Sequence, residues 1–284
     1  MGVLSGLSDL GLGQLENLDI YDSESNNKAV IVDPTSQEKS VIPDESELIY
    51  DKKYTCPVCG KEFVSKTVRS SKARLIRQDK DLKPIFNYID PSKYDVISCT
   101  KCGYSSVDKW FGKVSGKQIE LIKANICANY KEKQYGDVYS YDDAIERYKL
   151  ALATCIVKRG NNSEKGYTCL KYAWTVRGKR EELEEIGELD SIIEEYADDE
   201  KELLHNAFEG LKLARENERL PIAGMDSSTL DYLMAVIMLE EGNLEDAAKY
   251  VLAILQSKVA GNRIKEKARD LKEEILEAKN KSEQ

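Results

Sequence analysis

The sequence predicts an α+β protein, and two observations predict it. Between residues 48 and 113, two matched knuckles, Cys56-Pro57-Val58-Cys59-Gly60 and Cys99-Thr100-Lys101-Cys102-Gly103, are flanked by short β-branched runs. After Val114, apolar residues recur at three- and four-residue spacing to the end of the chain, which is the period of amphipathic helices. The expected architecture is a small β module followed by an all-α domain. Its three segments are an acidic, flexible stretch over residues 1–47, the module over 48–113 and the helical domain over 114–284.

In the first segment, residues 22–47 are polar, acidic and nearly free of aromatics, the composition of a linker that cannot bury a core. Ahead of them Leu4, Leu7, Leu10, Leu15, Leu18 and Ile20 recur among Gly and Ser, in a run too glycine-rich for a stable lone helix. Two readings stand: a frayed terminus packing weakly on its own protein, or a peptide that docks on another.

The module is read from its cysteines. Each Cys-x-x-Cys lets two sulfurs share one turn, and the Gly that follows tolerates the positive φ such turns need. Cys56, Cys59, Cys99 and Cys102 together supply a complete tetrahedral thiolate shell for one structural Zn²⁺. A filled shell leaves no position for water or substrate, so Lewis-acid chemistry is not expected. The same four thiolates suit a single iron in a rubredoxin-like redox module, which stays open as an alternative. Glu62–Arg69 should leave the first knuckle as a strand, and Tyr94–Ser98 should enter the second. The result is a zinc-ribbon-like fold, with an insert between the knuckles long enough to need structure of its own.

The helical part follows by periodicity. Ile119, Ile122, Ile126 and Tyr130 share one face, and Ala144, Ile145, Tyr148, Ala151, Leu152 and Cys155 share another. Gly160-Asn161-Asn162-Ser163 reads as a stop followed by an N-cap, and Ser228-Thr229-Leu230-Asp231 as a capping box. Gly242-Asn243 should turn one helix into the next, Leu244 to Leu255. Ile264, Ala268, Leu271 and Ile275 form the single apolar stripe of a terminal helix.

Composition narrows the function classes. The first twenty residues lack a secretory pattern, no run is long enough to span a membrane and the start misses the myristoylation motif, so a cytoplasmic protein is expected. Seven cysteines in a reducing compartment read as a metal site, not as a disulfide frame. Cys127, Cys155 and Cys169 stand outside the knuckles and read as small buried hydrophobes. The net charge of −9 hides a segregation: residues 48–113 hold fourteen Lys or Arg against seven acids, whereas both flanking segments are acidic. With four thiolates and one Zn²⁺ counted, the module keeps a charge of about +5.

The helix pair over Leu230–Leu255 resembles a tetratricopeptide repeat, with Ala235 and Ala247 at crossing positions and Gly242-Asn243-Leu244 at the turn, and Tyr141–Leu152 matches only the second helix of such a repeat. Residues 166–225 fit no such repeat. Over nearly its whole length the chain resembles a bacterial family catalogued as domain of unknown function 2225. The carriers are Tyr54-Thr55-Cys56-Pro57-Val58-Cys59, Lys66-Thr67-Val68-Arg69 with Lys72, Arg74, Asp79 and Asp81, Asp90-Pro91 with Tyr94-Asp95-Val96, and Cys99-x-x-Cys102-Gly103-Tyr104. Leu4-Ser5-Gly6-Leu7, Leu10-Gly11-Leu12-Gly13 and Asp19-Ile20-Tyr21 also look like the family's opening. The resemblance implies metal ligands at Cys56, Cys59, Cys99 and Cys102 and no activity.

Three functions are weighed. A non-enzymatic adaptor would offer a helical-repeat groove to a protein or peptide partner. A nucleic-acid binder would use Lys66, Arg69, Lys72, Arg74 and Arg77, which arrive with no acid between Val64 and Gln78 but with few aromatics among them. An enzyme is not expected: His205 is the single histidine, and no catalytic or phosphate-binding motif occurs, nor is a small-molecule substrate implied.

Overall fold

The β-branched run after the first knuckle forms a strand because every second side chain reaches the core. In this computed structural model, which describes residues 43–282, β1 (Ile49–Thr55) and β2 (Glu62–Val68) pair antiparallel, with Ile49 opposite Val68 and Thr55 opposite Glu62. Phe63 and Ser65 point inward and are buried, while Glu62 and Val64 stay exposed. The expectations for residues 1–42, the Leu/Gly run included, lie outside the described residues. Residues 45–48 form a single helical turn, α1 (Glu45–Leu48), whose Glu45 bonds Lys93 and Tyr94 at 2.7 Å each.

The insert between the knuckles folds as a second hairpin, β3 (Leu75–Gln78) with β4 (Pro84–Phe86). A 3-10 turn over Pro91–Tyr94 follows, capped by Asp90, which accepts from Ser92 N at 2.9 Å. This corrects the strand expected to begin at Tyr94. Pro91 sits at the first helical position, where its fixed φ favours a helical turn, so β5 begins only at Val96. β5 (Val96–Ser98) pairs with β6 (Ser105–Val107) to enclose the second knuckle, giving three separate two-stranded sheets.

The remainder of the described chain is mostly helical, apart from irregular stretches such as residues 128–140. α2 (Gly116–Ile122) starts on a Ser115/Gln118 capping box and runs into one π turn over Lys123–Cys127. α3 (Tyr141–Val157) starts on Ser140 with Asp143 and buries the predicted stripe from Ala144 to Cys155, Leu152 only partly. α4 (Asn162–Ile186) and α5 (Asp190–Asn217) are 25 and 28 residues long, far more than half of a repeat of about 34. Their length is why this stretch fits no repeat.

α6 (Ser227–Glu240) and α7 (Leu244–Gln256) form the repeat-like pair. Gly242 takes φ +78°, Asn243 caps α7 by accepting from Asp246 N at 3.2 Å, and Ala235 and Ala247 are fully buried. The expected capping box at Ser228 is displaced. Asp226 is the cap, accepting from Thr229 N at 2.7 Å, because the tight turn from Ile222 to Met225 delivers the chain to the helix earlier. α8 (Asn262–Ser282) buries Ala268, Leu271 and Ile275 and closes the main core between α4 and α7.

Buried polar contacts bind the metal module to the helices. Asp81, 1% exposed, accepts from Trp174 Nε1 at 2.7 Å and pairs with Arg177 at 2.8 Å. Lys171 on α4 pairs with Asp95 at 2.5 Å. Arg147 on α3, also 1% exposed, donates to Val96 O, to Lys93 O at 3.3 Å and to Ser65 Oγ at 3.1 Å, with its guanidinium 4.0 Å from the Tyr139 ring. A buried cation without a carboxylate needs such a set of carbonyls and π faces. The described residues, 43–282, accordingly form one compact unit.

Candidate metal centre

The two knuckles are built alike. Cys56 N donates to Lys61 O and Gly60 N to Cys56 O, at 3.0 and 2.9 Å; Cys99 N donates to Tyr104 O and Gly103 N to Cys99 O, at 2.8 and 2.9 Å. Gly60 and Gly103 take φ of +72° and +76°, the left-handed conformation expected of them. Gly103 is needed twice over, since a Cβ there would lie 2.4 Å from the Tyr130 ring.

These turns bring Cys56, Cys59, Cys99 and Cys102 together, with their four sulfurs all within 4.8 Å of one another. Cys56 Sγ lies 3.7 Å from Cys102 Sγ, and Cys59 Sγ lies 3.8 Å from Cys99 Sγ. A tetrahedron with metal–sulfur bonds of about 2.3 Å has edges of roughly 3.8 Å. A disulfide would need about 2.05 Å, and all four cysteines are free. The donor set and its spacing therefore fit a four-coordinate, thiolate-bound metal ion.

Electrostatics point the same way. Hydrogen bonds from Cys102 and Cys56 pull the Cys99 thiol down to about 2, and backbone N–H groups of Lys101 and Cys102 aim at its sulfur. Cys102, hydrogen-bonded to the Cys56 and Cys99 sulfurs and buried, is pushed well above the ordinary thiol range. Four thiols crowded this closely cannot all ionise by themselves. A cation among them removes the conflict by stabilising every thiolate at once.

The shell is enclosed by Val58, Phe63, Ile97, Tyr104, Phe111 and Ile122. Phe111 packs against both Phe63 and Tyr104, and the Tyr104 hydroxyl donates to Phe111 O at 2.5 Å. Ile119 and Ile126 cover one side, so the helical stripe read from the sequence lines the metal core. Cys127, expected as a small buried hydrophobe, is half-buried against this core with its thiol beside Cys102. Cys155 and Cys169 are buried as expected, and burial pushes their thiols up to about 12 and about 11.

The basic run is divided by the fold. Lys66 lies between Asp51 at 2.8 Å and Asp137 at 3.3 Å, and Arg77 pairs with Asp79. Arg69 donates from Nε to Ile49 O at 3.0 Å, while Lys72 and Arg74 are exposed. His205 is exposed on α5, its Nδ1 3.1 Å from Glu241. Residues not singled out as a group from the sequence are Asp81, Lys83, whose Nζ donates to Trp174 O at 3.2 Å, Asp95, Arg147 and Lys171, the charges that join the module to the helices. The available signal was weak: carboxylates in a basic insert and isolated cations on apolar helix faces.

Fold and site define a class: an α+β protein in which a four-cysteine β module, able to bind a metal, is fused to a helical domain. The chain belongs to the family described as an uncharacterized protein conserved in bacteria (DUF2225), whose model matches residues 49–275. The match begins after the amino-terminal Leu/Gly motifs. No curated protein and no solved structure matches the chain. Among the described residues, no helix is long and apolar enough to cross a membrane.

Proposed function

We propose that the protein is a non-enzymatic, cytoplasmic adaptor in which one structural Zn²⁺ holds the module and a helical surface binds a protein or peptide partner. The observation that carries the reading is the closed four-thiol shell: with every coordination position taken and the sulfurs packed into a core, the ion can brace the fold but cannot receive a substrate. Zinc is the reading taken for a structural role, as in closed four-cysteine sites that brace small folds; the same shell holds iron in a rubredoxin-like role, which is the alternative.

A groove of about 570 Å³ between α5 and α7 supports the adaptor reading. Tyr250 packs edge to face on the buried Phe208 at 6.1 Å in it, with Lys212, Arg215, Glu216, Asp246 and Lys249 around them, Arg215 paired with Asp231 and Lys249 with Asp246. Aromatic rings beside cations are the groups that anchor a bound chain.

Elemental analysis of protein purified from its native host tests the metal. One zinc per chain is expected, and a visible thiolate-to-iron absorption would replace zinc with iron. The partner is tested by affinity capture with the wild-type chain, with Phe208→Ala/Tyr250→Ala and with Cys56→Ser/Cys59→Ser. A partner lost only with the groove variant supports the reading; partners that ignore the groove variant overturn it.

A further inference from the structure

The sequence places cations between Lys66 and Arg77 but few aromatics among them, and the fold supplies two from elsewhere. Tyr50 and Lys52 are two residues apart on β1 and so share a face of that strand. The Arg69 guanidinium lies 5.3 Å from the Tyr50 ring centre. Arg69 O then accepts from Lys72 N at 2.9 Å, forming the turn that leads to Arg74. Arg74 N donates to Asn87 Oδ1 at 2.9 Å, and Tyr88 is the next residue in the chain. Tyr50, Arg69 and Lys72 are thus linked by contact, Arg74 follows two residues on, Lys52 shares the face of Tyr50 on β1 with its ammonium 5.0 Å from the Tyr54 ring centre, and Tyr88 adjoins Asn87 in sequence.

The charges of this strip are not neutralised by carboxylates. Lys66 and Arg77 are paired with carboxylates, but Lys52, Arg69, Lys72 and Arg74 have no carboxylate within ion-pair distance among the described residues; Lys52 is held mainly by Tyr54, with Asp108 a weaker attraction. Tyr50 and Tyr88 are 37% and 43% exposed, and the neighbouring Leu75 and Ile76 are 54% and 63% exposed. Tyr88 also takes φ +63°, a left-handed conformation that is uncommon for a bulky residue, so the local fold holds this aromatic on the surface.

We propose that this strip binds single-stranded nucleic acid, a function beyond the adaptor reading and independent of it. The four cations follow the phosphates, and the tyrosines stack on exposed bases. A duplex hides those base faces. An acidic peptide would satisfy the cations but brings no planar groups to match the tyrosines.

The test is fluorescence anisotropy of the metal-loaded full chain with labelled 12-nucleotide uridine and thymidine oligomers over a salt series. Binding should weaken with salt, with a log–log slope of roughly −2 to −3 for four phosphate contacts. Arg69→Gln/Arg74→Gln should shorten that slope by about 1.4, from about 0.7 for each phosphate contact. Tyr88→Ala should weaken binding about 5- to 100-fold with the slope unchanged, and Tyr50→Ala serves as a second aromatic variant. Metal content and unfolding midpoint show that each variant is folded. The proposal is overturned by no binding at low salt, by wild-type affinity in Arg69→Gln/Lys72→Gln/Arg74→Gln, by equal affinity for a duplex, or by equal affinity for labelled polyglutamate.

Discussion

Gly166 on α4 and Gly210 on α5 touch backbone to backbone: a Cβ on Gly210 would lie 2.7 Å from Gly166 Cα, and one on Gly166 would lie 2.8 Å from Leu211 N. The two longest helices of the fold therefore meet at a point that admits no side chain. Gly210→Ala gains about 1 kcal/mol in helix propensity but must push the helices apart. Overpacking costs about 1–3 kcal/mol or more, so a net loss in urea unfolding midpoint is expected. An unchanged or raised midpoint would show that the crossing yields.

Metal removal should act locally. The core around the sulfurs and the core between α4 and α8 have no buried residue in common. Chelation, or Cys56→Ser, should abolish metal binding and loosen β1, β2, β5 and β6, while most of the helical circular dichroism persists. Protons compete with the metal for thiolates, so metal should be released as pH falls and retained as it rises. Metal content against pH, read with far-ultraviolet circular dichroism, checks both; complete helix loss on chelation would refute the separation.

Asp81 ties the insert to α4. Asp81→Ala leaves the Trp174 indole N–H without its acceptor and removes one of the two carboxylates on Arg177, the other being Glu200 at 2.6 Å. A cost of about 2–4 kcal/mol is expected. Hydrogen exchange should quicken over residues 75–86 before it does in the helical core. Uniform quickening would mean that the insert is no separate cooperative segment.

Asp226 gives a signed pH dependence. Hydrogen bonds from Thr229 hold its carboxyl below the usual carboxylate range. Its folded value thus lies below the unfolded one of about 3.9. Its contribution is present above that value and is lost as pH falls through the folded one. Asp226→Ala should cost about 1 kcal/mol at neutral pH. The difference from wild type should shrink as pH falls below the unfolded value, measured by denaturant titration; a pH-independent difference would contradict the capping role.

The four-cysteine cluster was legible in the sequence because its determinants are local. A Cys-x-x-Cys-Gly knuckle closes within five residues, and two equal knuckles complete one shell whatever lies between them. The helices were legible for a related reason, as with Ala235, Gly242 and Ala247, since a 3.6-residue period writes one buried face along the chain. The expected strand at Tyr94 and the cap at Ser228 missed by about two residues, where Pro91 and the turn at Ile222–Met225 shift the chain.

What the sequence by itself determined is the four-thiol shell, the α+β division and the repeat-like pair α6 and α7, because each rests on spacing within one short segment. Only the tertiary structure decided the rest. It placed Asp81 on Trp174 and Arg177, put Arg147 under Tyr139, crossed the long helices at Gly166 and Gly210, and left Arg69, Lys72 and Arg74 unpaired while Lys66 and Arg77 found carboxylates. These outcomes depend on contacts between distant residues, and burial, which sets the strength of such pairs, is a property of the packed chain and not of any one segment.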